Sequence, residues 1–559
     1  MKKIFYTILL MIGISSYFGE AIGQKIDYKR VIANPLNLNY RFMTEEPSRR
    51  EAADPVIELF KGKYYLFASK SGGYWSSNDL TEWTYVPCKT ISTIEQYAPT
   101  VLAIGDTLYY LASVSKQIHY TVNPDKDEWH LLENGQYEFT DTDPALFRDD
   151  DGRVYVYMGC SNKDPIRAVE LDPKQGFKSI GKPVVVIDHH TDIYGWEIPG
   201  EKNEKNEIGW NEGATMIKHN GKYYLQYASP GTQYRTYGDG VYVSDNPLGP
   251  FKYMENSPFS LKPGGFIGGA GHGHTFIDKY GNYWHIATMK ISQRHMFERR
   301  LGLFPVFFDK DGGMYAHTAL TDYPFTIPNK KVDLENDNLS VGWKILSFGK
   351  QTTASSSLTG HEPQKANDEN VEDWWSAVLG DAGEWLQIDL GKKETVNAVQ
   401  VNFSDQDFTN LSENSFTVYR YKIESSDDGE KWKMLIDRSK NDKDMPHELI
   451  VLQKPVETRF LRITNTKNLT NGRFSISGFR VFGGKLATQK VQGLKIERNA
   501  DKRRFSLSWD KQPEAVNYIV RWGISSDKLF NAAMVTTNSY EAGYFNRDTE
   551  YFFDVEYIN

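Results

Sequence analysis

Trp210-Asn211-Glu212-Gly213-Ala214-Thr215-Met216-Ile217-Lys218-His219-Asn220-Gly221-Lys222-Tyr223-Tyr224-Leu225 reads as a β-hairpin that presents a carboxylate at one end. An acid leads into a strand, a turn containing Gly221 follows, and an alternating aromatic strand runs back. Aligning the turn glycines gives five copies: Gly62-Lys63-Tyr64-Tyr65-Leu66, Gly105-Asp106-Thr107-Leu108-Tyr109-Tyr110, Gly152-Arg153-Val154-Tyr155-Val156, Gly221-Lys222-Tyr223-Tyr224-Leu225 and Gly281-Asn282-Tyr283-Trp284-His285. They are 43, 47, 69 and 60 residues apart. Units of this length that cannot bury both faces alone are what propeller blades look like in sequence, so the spacing predicts an all-β, five-bladed propeller.

Seven to nine residues before each glycine stands the residue that leads into the hairpin: Asp54, Ala98, Asp143, Glu212 and His274. If the hairpins are radially equivalent, three acids and an imidazole converge at one mouth of the axial channel. Ala98 at the same phase indicates that the hairpin itself does not require an acid.

A chain of 559 residues is too long for one ordinary core and suits several domains. Its 14% aromatic content, with 34 Tyr, exceeds what packing needs and is common in β-proteins that handle sugars. The net charge of −8 is diffuse and no basic stripe is present, which excludes nucleic acid as a partner. Residues 1–23 carry Lys2-Lys3, the apolar run Ile4 to Ile14 and then Ala21-Ile22-Gly23, the pattern of a cleaved export signal, so a periplasmic or extracellular location is expected. No later run is long and apolar enough for a transmembrane segment. Cys88 and Cys160 are expected as buried free thiols. Oligomeric state is not legible.

Ala53-Asp54-Pro55, Ser77-Asn78-Asp79-Leu80-Thr81-Glu82-Trp83, Asp143-Pro144 before Phe147-Arg148-Asp149-Asp150-Asp151-Gly152, Glu212-Gly213, and Gly271-His272-Gly273-His274 together resemble glycoside hydrolase family 43. That resemblance covers about half of the chain and implies an exo-acting arabinofuranosidase, xylosidase or galactosidase working on an oligo- or polysaccharide. Glycoside hydrolysis needs one group to protonate the leaving oxygen and one carboxylate on the other side of the sugar. The resemblance assigns Glu212 as general acid, Asp54 as general base activating water, and Asp143 as the residue that tunes and orients the acid. It also implies that an arginine before Pro305 reaches the acids or the sugar. Strand neighbours face opposite ways, so only one of the pair can point inward; Arg299 is selected by its distance from Pro305, with Arg300 left open. Tyr97 stands where many family members carry Trp, and Tyr97, Trp75, Trp196 and His272 are candidate sugar contacts. No cofactor is required. The resemblance places His274 on the axis, either as a buried histidine or beside a structural Ca2+, although one imidazole does not make a calcium site. The alternative of another class is a propeller without turnover that serves in glycan binding or adhesion.

Trp374-Trp375-Ser376, Gly383 to Gly391, Tyr421 to Trp432 and Arg459 to Ile463 resemble a discoidin module, the fold of carbohydrate-binding module family 32. Trp385 and Trp432 are expected in its core, and the loops Ser355 to Glu362 and Phe403 to Asn414 are its candidate ligand loops. Phe505 to Trp509, Asn517 to Trp522 and Thr549 to Tyr557 resemble a fibronectin type III sandwich with Tyr551 as its tyrosine corner, read as a spacer. The expected organisation is a signal peptide at 1–23, the propeller at 24–335, the discoidin-like domain at 336–485 and the fibronectin-like domain at 486–559.

Overall fold

The structure, a computed structural model, describes residues 27–43, 47–91, 97–408, 417–467 and 471–559. The proposed signal peptide and the second half of the Phe403 to Asn414 loop lie outside these. Among the described residues there is no α-helix, and no helix long and apolar enough to cross a membrane.

Five antiparallel four-stranded sheets form the propeller. Their innermost strands are Ala53–Phe60, Thr100–Ile104, Ala145–Arg148, Glu212–His219 and Gly268–Ile277. Every one of the five aligned turn glycines has positive φ. At Gly62, Gly105 and Gly221 an added Cβ would meet nothing, so backbone conformation, not space, requires glycine there. The ring closes through side chains. Ile57, Tyr64 and Leu66 of the first blade pack with Phe276, Trp284 and Leu303 of the last, together with Leu36, Leu38 and Tyr40 of the lead-in.

Trp75 sits on a middle blade strand, Gly73–Ser77, and Trp196 on the 3-10 turn Gly195–Glu197 packed between blade four and the C-terminal sandwich, and these positions decide the fate of two aromatic candidates. Trp75 is 0% exposed, gives its indole N–H to Asn39 at 2.8 Å and packs edge-on to Tyr40. Trp196 is also 0% exposed, bonds Tyr253 at 2.9 Å and packs on Tyr227. Neither reaches the channel mouth, so both are packing residues and not sugar contacts.

An eight-stranded β-sandwich follows, built on the long strands Trp385–Phe403 and His447–Lys467, whose register shifts let them bend. Trp375, Leu386, Ile388, Val401, Ile423 and Ile463 fill its core. Trp385 and Trp432 are not part of it. They lie half-buried on either side of the Arg462 guanidinium, 4.6 and 4.0 Å from the ring centroids, where cation–π attraction holds a surface stack.

The last region is a two-sheet sandwich of four and three strands. Its final strand, Phe552–Ile558, does not end on an open edge, because Thr488–Lys490 pairs with it antiparallel. The Tyr551 hydroxyl accepts the Asn546 backbone N–H at 3.1 Å. A spacer would touch its neighbours sparingly, whereas this sandwich shares one hydrophobic cluster with blades three and four. Phe505, Trp522, Phe545 and Tyr557 are continuous there with Tyr157, Trp196, Tyr227 and Tyr242.

The first sandwich is anchored by charge. Arg50, fully buried in the lead-in, bonds Asp405 at 2.8 Å and Asp444 at 2.7 Å, both themselves buried. Removing one side of such a cluster strands the opposite charge in a low-dielectric interior. Arg50→Ala is therefore expected to destabilise the protein by about 3–5 kcal/mol in chemical denaturation, and a loss below about 1 kcal/mol would show the cluster to be dispensable.

Candidate active site

Each blade begins with a residue in the left-handed conformation, and these are Asp54, Ala98, Asp143, Gly213 and His272, with φ of 50, 47, 54, 60 and 44°. Bulges in the first, fourth and fifth blades fall at these residues. The fivefold position is therefore not the one that glycine counting gives throughout. Glu212 precedes the left-handed Gly213 by one residue, and His274 follows His272 by two, so His272 is the radial counterpart of the two aspartates and His274 lies deeper.

A buried N–H at a strained turn needs a partner, and the preceding blade provides one. Asp54 N–H donates to Thr288 Oγ1 at 2.8 Å, Ala98 N–H to Ser69 Oγ at 2.7 Å and Asp143 N–H to Ser113 Oγ at 2.9 Å. Cys160, at the same place in blade three, donates to Glu212 Oε2 at 2.9 Å. In blade four Ser229 has no partner, and Asp239 instead receives the N–H groups of His272 and Gly273 at 2.9 and 3.0 Å while bonding His285 at 2.8 Å. The sequence carries the signal for this ring: Ala68-Ser69, Ala112-Ser113, Gly159-Cys160, Ala228-Ser229 and Ala287-Thr288 all fall seven or eight residues after the turn glycines. The hairpin reading passed over them.

The three acids meet around one imidazole. His272 Nδ1 is 3.3 Å from Asp54 Oδ1 and 3.8 Å from Asp143 Oδ2, and ligand atoms of Asp143, Glu212 and His272 lie within 4.8 Å of one another. Arg299 stands on the Asp54 side, 3.5 Å from Oδ1, and is held by Glu51 at 2.8 Å. Arg300 points the other way, to His447 and the Arg50 carbonyl. Ser69 donates to Asp54 Oδ2 at 2.6 Å. Glu212 accepts from two donors, Tyr237 at 2.6 Å on Oε1 and Cys160 on Oε2. Sequence reading missed Tyr237, which comes from a loop with no repeat phase.

The electrostatics differ between the two aspartates. Burial works to raise Asp54, but the His272 and Arg299 charges and the Ser69 hydroxyl outweigh it and hold that carboxyl below its ordinary value. Asp143 is pushed up to about 7, chiefly by burial, with repulsion from Glu212 and Asp54 adding to it against the pull of His272 and the Ser113 hydrogen bond. Burial alone would lower His272, yet Asp54, Asp143 and Glu212 raise it. Burial, with Glu212 and Asp143 alongside, pushes the Cys160 thiol up, so it stays a donor. Both cysteines are free, but only Cys88 is buried as expected; Cys160 is partly exposed beside Glu212. Distance alone would let Asp143, Glu212 and His272 hold a metal. The same three groups are also close enough to pass protons among themselves.

Of the other candidates, Tyr97 lies half-buried at the mouth, with the Lys70 ammonium 4.8 Å from its ring centroid and Phe297 at 6.3 Å. His274 lines the axial cavity with Thr100, Ala145 and Thr215. Burial and His285 push it down to about 3, leaving it neutral, and its Nδ1 has no partner.

Residues 48–314 match glycosyl hydrolases family 43 and residues 351–479 match the F5/8 type C domain. A β-xylosidase of Xylanibacter ruminicola is 30% identical over 268 residues, covering 36% of this chain and 78% of that one. A β-D-galactofuranosidase of Aspergillus niger is 26% identical over 265 residues, 40% of this chain and 69% of that one. A xylosidase/arabinosidase 43A of Humicola insolens is 29% identical over 326 residues, 46% and 94%. With these matches the chain belongs to glycosyl hydrolase family 43: it is a glycosidase with a carbohydrate substrate, carrying a discoidin-type β-sandwich behind its propeller.

Proposed function

We propose that this protein is an exported, exo-acting, inverting glycoside hydrolase that removes terminal α-L-arabinofuranosyl, β-D-xylosyl or β-D-galactosyl/galactofuranosyl residues from polysaccharide side chains. The observation that carries it is the meeting of Asp54, Asp143 and Glu212 around His272 at one mouth of the propeller. The named relatives are a β-D-galactofuranosidase, a β-xylosidase and a xylosidase/arabinosidase, which supports this range of sugars. Export is supported by the charged and apolar pattern of residues 1–23.

In this reading Asp54 is the base. Its depressed pKa keeps it ionised and ready to take a proton from the attacking water. Glu212 gives its proton to the leaving oxygen, oriented by Tyr237 and Cys160. Asp143, itself proton-binding near neutrality, lies beside Glu212 and keeps a proton available to the pair. Arg299 fixes Asp54, while Tyr97 and His272 border the bound sugar. The neutral His274, with its open Nδ1 beside two threonines, fits a hydrated hard cation held through water and not a directly bound one, since Ca2+ takes six to eight oxygens. The discoidin module acts as the glycan-binding partner of the propeller. The seven-stranded C-terminal sandwich, with Tyr551 in a tyrosine-corner contact, is fibronectin type III-like.

Glu212→Gln and Asp54→Asn are each expected to cut turnover by orders of magnitude with the circular dichroism spectrum unchanged. Either variant within a few-fold of wild type on a panel of aryl glycosides removes the assignment, and NMR of the first-formed anomer tests inversion. Two pH profiles of kcat/KM follow from the electrostatics. Arg299→Met takes away a charge that lowers Asp54, so the acidic limb should move to higher pH. Asp143→Asn should lower turnover and displace the basic limb. An unmoved limb in either variant breaks the corresponding link.

A further inference from the structure

The segment that runs outward from the proposed acid alternates strictly. Ile208 is 49% exposed, Gly209 buried, Trp210 45% exposed, Asn211 buried and Glu212 half-buried. Alternation in extended chain places Ile208, Trp210 and Glu212 on one side, with Trp210 about 7 Å along the chain from Glu212 at the usual strand rise. Large aromatic rings left in water at the rim of a site call for a reason, because burying one is worth more than leaving it out.

This stripe is also held still. The backbone of Asn211 exchanges hydrogen bonds with Ser161 in both directions, at 3.0 and 3.2 Å, and Trp210 N–H donates to the Pro230 carbonyl at 2.9 Å. A Cβ on Gly209 would strike the Glu197 carbonyl at 2.3 Å and Pro230 at 2.7 Å, so the strand is pressed against its support. A ring presented on a fixed backbone binds without first paying to order it.

Resting on the assignment of Glu212 as the acid, we infer that Trp210, backed by Ile208, is the stacking platform for the sugar on the leaving-group side of the scissile bond. The acid protonates the oxygen that departs with that sugar, so the next ring must lie over the acid's side of the mouth. The side chains that continue outward from Glu212 are these two. Trp210 is thus a specificity-determining residue for polymeric substrate, distinct from Tyr97, which stands at the rim beside Phe297 on another blade.

The test compares Trp210→Ala and Trp210→Phe with wild type on two substrates of the sugar that the glycoside panel identifies. One is an oligosaccharide, in which a sugar leaves; the other is the glycosyl fluoride, whose leaving group is a single atom. Trp210→Ala is expected to lower kcat/KM on the oligosaccharide by roughly tenfold more than on the fluoride, mainly through KM, with Trp210→Phe recovering most of the difference. Equal effects on both substrates, or none on either, overturn the inference while leaving the acid assignment in place. A wild-type protein that turns over neither substrate removes the acid assignment and the platform together.

Discussion

The constraint on which the rest depends is conformational: every blade opens on one residue with φ near +50°. A non-glycine side chain there costs on the order of 1–3 kcal/mol, and such strain persists only where the surroundings over-determine it. Here they do so at Asp54, Ala98 and Asp143 by satisfying the buried N–H with a hydroxyl from the preceding blade, and at His272 with the Asp239 carboxylate of blade four. Ala98 adopts the conformation with no chemistry to perform, which marks the turn as architecture onto which Asp54, Asp143 and His272 have been placed. The same geometry that closes the ring aims those side chains at the axis.

Bringing three carboxylates to one point would be prohibitive without compensating charge, and the compensation reaches well beyond the site. Arg299 faces Asp54 but is itself held by the fully buried Glu51. The neighbouring Arg50 turns to the opposite side and locks onto Asp405 and Asp444 of the discoidin sandwich. Two consecutive residues of one short strand, Arg49–Glu51, therefore tie the electrostatics of the proposed base to the seating of the second module. Asp239 has a comparable double duty, fixing His285 with one contact and the His272–Gly273 backbone with two others.

Much of this was written plainly in the sequence. Turn glycines are forced by positive φ, so their spacing reports blade number directly, and Asp54 and Asp143 fall where that spacing puts them. The phase slipped at Glu212 and His274 because the left-handed residue stands anywhere from seven to nine residues before its glycine, and a window that wide admits the neighbours of Gly213 and His272. Trp75 and Trp196 failed for another reason: an indole suits a sugar face and a packed interior equally, and only tertiary packing decides, by the stacking of blades for Trp75 and by the docking of the C-terminal sandwich for Trp196. The reverse error placed Trp385 and Trp432 in a core, when the guanidinium of Arg462 lies between them. Tyr237 gave no signal, since loop lengths vary from blade to blade and its partner Glu212 is 25 residues away.

The C-terminal sandwich illustrates how a module that looks like an appendage becomes part of an active site's frame. Gly195 N–H donates to the Phe545 carbonyl and Arg547 N–H to the Ile193 carbonyl, so backbone meets backbone across the junction. Arg503 reaches the Thr191 carbonyl, and Arg504 reaches those of Lys202 and Asn203. All of these contacts fall on residues 188–211, the long segment between the last strand of blade three and the first strand of blade four, which ends in Ile208 and Trp210 just before Glu212. A loop of that length left to itself would sample many shapes and lose entropy on binding each substrate. Pinned along its length by a second folded body, it presents its end in one arrangement, so that under the proposed platform role of Trp210 the sandwich supports recognition from behind the site.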